Sequence, residues 1–103
     1  MLPLVRDQLP NLAELCQRYQ VRTLAIFGSA LRDDFDLRRS DLDFLVEFDE
    51  PPPGNYAKAY FGLLFALEEL FGRSVDLLTI PSLKNPYLRR QIFQERQLLF
   101  QAP

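Results

Sequence analysis

Apolar residues along the chain keep helical and strand rhythms in turn. From Leu2 to Gln20, the residues Val5, Leu9, Leu12, Cys16 and Tyr19 recur at spacings of 4, 3, 4 and 3, one stripe of a helix. Pro10 interrupts it, either as a kink or in the first turn of a second helical piece running to about Tyr19. Thr23 to Phe27 is apolar and rich in β-branched residues, stops at Gly28, and predicts a strand covered on both faces. Ser29 to Arg32 reads as a short helix start, and Asp33 to Ser40 as a polar loop. Asp41 to Phe48 alternates, with Leu42, Phe44 and Val46 on one face and Asp41, Asp43 and Leu45 on the other. Pro51-Pro52-Pro53-Gly54 is a rigid connector. Ala57 to Phe71 predicts a helix of about four turns, with Tyr60, Leu64, Leu67 and Phe71 in one stripe. Asn55 is placed to cap that helix and Gly72 to end it. Ser74 to Ile80 is a third strand, Asn85-Pro86 opens a last helix to about Glu95, and Gln97 to Phe100 fits a short edge strand. This alternation predicts an α/β (α+β) fold, a small mixed sheet of three to four strands flanked by helices.

Composition narrows what such a fold does. At 103 residues the chain is one domain, residues 1–103. Twelve Lys and Arg stand against 14 Asp and Glu, a net charge of −2, so a basic face that coats DNA is not expected. The chain has no His, which removes the commonest general base and zinc ligand. Its one cysteine, Cys16, cannot form an internal disulfide and falls on the first helix's core stripe. No apolar run approaches the ~18 residues of a membrane helix, and no signal-peptide pattern opens the chain, which predicts a cytoplasmic protein without a membrane partner.

Three features carry candidate chemistry. Gly28-Ser29 sits at a strand-to-helix turn, where free N–H groups and a hydroxyl suit a phosphate. Taken alone, the pair is usually a turn with an N-cap. Asp41 and Asp43 lie two apart on a strand and therefore on one face. Carboxylates held together repel unless a cation lies between them, and Mg²⁺ is the natural one. The plainer alternative is a solvated acidic surface, since Asp33, Asp34 and Asp36 lie just upstream. Asp76 interrupts the third strand's apolar run, and beside the Asp41–Phe48 strand it would complete a carboxylate triad. Arg38, Arg39, Lys58 and Lys84 are candidate phosphate contacts, though each is first of all a surface charge. Glu68 and Glu69 fit the wet side of the long helix, and Tyr60, Phe61 and Phe65 widen its apolar face enough to offer a contact patch.

Together the words FGSALR (Phe27 to Arg32), SDLDFLVEF (Ser40 to Phe48) and VDLLT (Val75 to Thr79) resemble the DNA polymerase β-like nucleotidyltransferase superfamily, and within it the minimal MNT-type members. NPYLRRQIFQE (Asn85 to Glu95) resembles their closing helix, so the likeness spans nearly the whole chain as one minimal nucleotidyltransferase domain. The resemblance implies that Gly28, Ser29 and Arg32 bind the nucleotide, the first two at the β- and γ-phosphates. It implies that Asp41, Asp43 and Asp76 are catalytic and hold Mg²⁺, with ATP as substrate. It further implies an antitoxin that transfers AMP to a tyrosine of a HEPN-like helical toxin, in a hetero-oligomer with that partner. Eleven residues, Ala30 to Ser40, separate Gly-Ser from Asp-x-Asp where minimal members commonly have ten, and Asp33 stands where they commonly have Gly. A catalytically weak module that neutralises its partner by covering it remains the alternative.

Overall fold

The computed structural model describes residues 2–31, 41–49 and 54–103. Arg32, the last residue of the expected short helix, and the expected loop, with Asp33, Arg38 and Arg39, lie outside the described residues, as do Pro51–Pro53 of the connector.

Pro10 divides the first helical stretch as its chemistry requires. Helix α1 spans Pro3–Arg6 and α2 spans Leu9–Arg18, with Pro10 in the first turn of α2, where no N–H is needed. Strand β1, Val21–Phe27, begins two residues earlier than its β-branched core suggests, because Val21 pairs with Phe48 across the sheet. Gln20 turns the chain into it at φ 59°. A four-residue 3₁₀ turn, Gly28–Leu31, follows β1.

Strand β2, Leu42–Phe48, lies antiparallel to β1, and β3, Val75–Thr79, lies parallel to β2. Helix α3, Tyr56–Phe71, makes the crossover that a parallel pair needs. Gly72 ends α3 in the left-handed conformation at φ 64°, and its N–H donates to the Glu68 carbonyl. Asn55 occupies the N-cap position but makes no side-chain cap bond there. At the next helix the cap forms fully. In α4, Pro86–Glu95, Asn85 Oδ1 accepts from the backbone N–H groups of Tyr87 and Leu88 at 2.9 and 3.3 Å. Strand β4, Gln97–Gln101, returns antiparallel along the free side of β1. The sheet order is β3-β2-β1-β4, a mixed four-stranded sheet.

Alternation gives the sheet two apolar faces. Leu24, Ile26, Leu42, Phe44, Val46, Val75 and Leu77 bury one face against Val5 of α1, Leu12 and Cys16 of α2, and Leu63, Leu67 and Phe71 of α3. Phe44 and Phe71 stack there at 5.8 Å. Ala25 and Leu45 turn the other way, against Leu83 and Ile92, with Phe27, Leu78, Ile80 and Phe93 packed around them. This smaller core, beneath α4, matters for the site, because the strand carboxylates face the same side. Among the described residues no helix is long and apolar enough to cross a membrane.

Candidate functional site

The acidic residues meet because of strand register. Asp43 of β2 stands directly beside Asp76 of β3 in the parallel ladder. Lateral neighbours in a sheet point to the same face, at about 5 Å strand spacing, so the two carboxylates share the α4 side. Asp41 lies just ahead of β2, two residues from Asp43. Asp43 is half-buried, and Asp41 and Asp76 are exposed. The backbone N–H of Leu42 donates to the Ser74 carbonyl at 3.4 Å, tying the two strands together where the carboxylates begin.

The Gly28 turn closes on this pair from β1. Phe27 is the register partner of Asp43, so Gly28 follows at the same end of the sheet. Gly28 has φ 71°, a left-handed value that glycine takes without penalty. A Cβ built there would overlap Oδ2 of Asp43 and lie 3.2 Å from its Cγ. The missing side chain is therefore the space the Asp43 carboxylate occupies. The described part of the turn is four residues of 3₁₀ geometry, so it offers local N–H donors more than the dipole of a full helix.

The structure thus sets Gly28 against Asp43 and Asp43 beside Asp76, with Asp41 two residues ahead of Asp43 and Ser29 next after Gly28 in the chain, while Arg32 lies outside the described residues. Lys58 is not brought there; it lines a groove with Arg18, Tyr19 and Gln20, near the start of β1. Lys84 follows the far end of β3. Carboxylate oxygens at a strand end suit a hard, oxygen-seeking cation such as Mg²⁺. Among the described residues no three acidic side chains are already gathered as a metal cage.

Two neighbours of the site were not legible as such. Tyr60 reads in sequence as part of an apolar patch. In the structure its hydroxyl donates to the Leu77 carbonyl at 2.6 Å, on the outer strand β3. Partial burial raises its pKa above the usual tyrosine range, and the nearby Asp76 and Tyr56 add to the rise. Phe61 and Phe65 do form an exposed pair, stacked at 6.2 Å. Glu68 is half-buried instead of solvated, and accepts the Val75 N–H at 3.3 Å at the head of β3. The Glu(i)-to-strand contact spans seven residues and a turn, so no helical spacing announces it.

Comparison with known proteins decides the family. Residues 12–99 match the nucleotidyltransferase domain model. The chain belongs to the nucleotidyltransferase family. Among curated relatives, a candidate protein adenylyltransferase of Methanocaldococcus jannaschii is 41% identical over 81 residues, 79% of either chain. The protein adenylyltransferase MntA of Thermococcus cleftensis is 39% identical over 72 residues, 70% of this chain and 69% of that one. A solved structure described as a candidate minimal nucleotidyltransferase superposes at TM-score 0.73 with 34% identity, covering 90% of each chain. The same fold recurs in a toxin–antitoxin structure with AMP-PNP, at TM-score 0.68 and 20% identity over 91% of this chain and 73% of that one. It recurs again in a tri-AMPylated Shewanella oneidensis HEPN toxin in complex with MNT antitoxin, at TM-score 0.64 and 17% identity over 95% of this chain and 73% of that one. As a member of this family the chain is an enzyme, a nucleotidyltransferase.

Proposed function

We propose that this nucleotidyltransferase is an antitoxin that transfers AMP from ATP to a tyrosine hydroxyl of a HEPN-type toxin, with which it forms a hetero-oligomer. The observation that carries the chemistry is the register pairing of Asp43 with Asp76, beside a glycine whose Cβ would collide with Asp43. The observation that supports the acceptor is the likeness to MntA and to the fold of an MNT antitoxin seen with its AMPylated HEPN toxin. Likeness to a chain solved with AMP-PNP supports an adenine nucleotide.

In this reading the tyrosine oxygen attacks the α-phosphorus of ATP. The bond from that phosphorus to the bridging oxygen of the β-phosphate breaks, and pyrophosphate leaves. The hydroxyl proton passes to the Asp76 carboxylate, which is exposed on the outer strand. Backbone N–H groups at Gly28 and Ser29 hold the β- and γ-phosphates, and Arg32 follows them in the chain. Asp41, Asp43 and Asp76 would hold Mg²⁺, which supplies charge neutralisation for the phosphates and lowers the pKa of a coordinated hydroxyl. No histidine is needed, because phosphoryl-type transfer depends on positioning and electrostatics more than on a covalent intermediate.

The test is label transfer with purified protein and partner. Label at the α-phosphate of ATP should appear on the partner and label at the γ-phosphate should leave as pyrophosphate. Label retained from the γ-position would make the chain a kinase and contradict the reading.

A further inference from the structure

Helix α4 flanks the carboxylates on their own side of the sheet. Gln97 pairs with Ile26 and Leu98 with Ala25, and Arg96, the C-cap of α4, directly precedes Gln97 at the Phe27 end of that ladder. Phe27 in turn pairs with Asp43, and Asp43 with Asp76. One row therefore crosses the sheet as Asp76, Asp43, Phe27, and Arg96 enters the sheet next to that row. Its contact with Phe93, which packs on the small core beneath α4, sets Arg96 on the side of the sheet that the two aspartates face. Two strand spacings separate the backbones of Arg96 and Asp43, roughly 10 Å.

The guanidinium of Arg96 is held on that side. It lies over the Phe93 ring at 4.6 Å, and Arg89 approaches the same ring at 5.9 Å. Phe93 packs in the small core that includes Phe27, so the stack is anchored beside the Gly28 turn. Among the described residues no carboxylate stands within ion-pair distance of Arg96 or Arg89. In a chain with a net charge of −2, two guanidiniums sharing one ring beside an acidic site form a local positive spot.

We propose that Arg96 is a further phosphate-binding residue of this site, contacting the terminal phosphates of the nucleoside triphosphate and the pyrophosphate that leaves. The inference rests on the nucleotide-transfer reading above. In that reading the α-phosphate lies at the aspartates and the β- and γ-phosphates at Gly28, directly after Phe27, which places the far end of the triphosphate toward Arg96. Arginine suits this position because its planar group stacks on a ring while its N–H edge stays free for phosphate oxygens. Arg89, 5.9 Å from the same ring, adds charge nearby.

The variants Arg96→Met and Arg96→Lys separate charge from packing, since methionine keeps an apolar chain over Phe93. Calorimetry should show about tenfold weaker AMP-PNP binding in Arg96→Met, unchanged AMP binding, and partial recovery in Arg96→Lys. The KM for ATP and the inhibition constant of pyrophosphate should rise by the same factor. Wild-type AMP-PNP and pyrophosphate affinities in Arg96→Met would overturn the proposal, as would equal losses for AMP and AMP-PNP with a lowered Tm, the mark of a structural residue. A wild-type protein that binds neither nucleotide would instead overturn the transfer reading beneath it. An active wild-type with an indifferent Arg96→Met removes only the assignment of Arg96.

Discussion

Gly28→Ala is the substitution whose effects the geometry separates most cleanly. Gly28 has φ 71°, and a residue with a Cβ pays about 1–2 kcal/mol to adopt such a left-handed conformation. For a domain of this size each kcal/mol lowers Tm by about 4–8 °C. Gly72 supplies the control. It has nearly the same conformation, φ 64°, yet nothing lies within 4 Å of where its Cβ would be. Both alanine variants should therefore lose similar stability by scanning calorimetry. Only at Gly28 does the new methyl also overlap the Asp43 carboxylate and sit 3.2 Å from its Cγ and 3.5 Å from its Cβ. That carboxylate must give way by something on the order of 1 Å, a displacement that at a reacting centre costs about 100-fold in rate. AMP transfer at saturating ATP should fall about 100-fold in Gly28→Ala and stay within a few-fold of wild type in Gly72→Ala. Equal activity in the two variants would refute the idea that Gly28 exists to make room for Asp43.

Other substitutions test the scaffold. Asn85→Ala removes the side chain that accepts two N–H groups at the start of α4, and should cost about 1 kcal/mol, read as a Tm lowered by about 4–8 °C. Tyr60→Phe removes the donor to the Leu77 carbonyl on the outer strand and should cost about 0.5–1.5 kcal/mol in urea unfolding, with loss of the tyrosine's alkaline titration. Burial pushes the Cys16 thiol up from its ordinary value to about 12. The folded state thus keeps a proton that the unfolded chain releases first, so this contribution is whole below pH 9 and is lost as pH rises toward 12. Denaturation curves from pH 8 to 11 should show that decline in wild type and a weaker one in Cys16→Ala, and the native thiol should resist alkylation at pH 8.

Much of this fold could be read along the chain, for reasons that are local. The alternation in Asp41–Phe48 put Leu42, Phe44 and Val46 on the large core and Asp43 on the other side, as found. Asn85-Pro86 carried its own start signal, and Pro10 fitted the first turn of a second helix as well as a kink. What escaped reading is non-local. Nothing near Asp76 says that β3 lies parallel to β2 in the register that sets it beside Asp43, since that depends on how α3 crosses over the sheet. Asn55 had the right residue type for a cap but its side chain makes no cap bond. Glu68 looked solvated by its position on α3, yet it meets the Val75 N–H because the chain folds back at Gly72. For the same reason Arg96 was no more than a charge after a helix until β4 paired with β1 and set it next to the row of the aspartates.

The central claim is that the carboxylates at the head of β2 and β3 transfer a nucleotide to a protein partner. Intact mass spectrometry of a co-expressed HEPN-type partner tests it most directly, with the native chain in one sample and Asp41→Asn, Asp43→Asn in the other. Whole AMP increments on the partner that vanish with the double variant, while the variant keeps its fold and its partner, are the predicted result. An unmodified partner that still co-purifies with the native chain and is still neutralised would contradict the claim, and would make the chain a module that acts by covering.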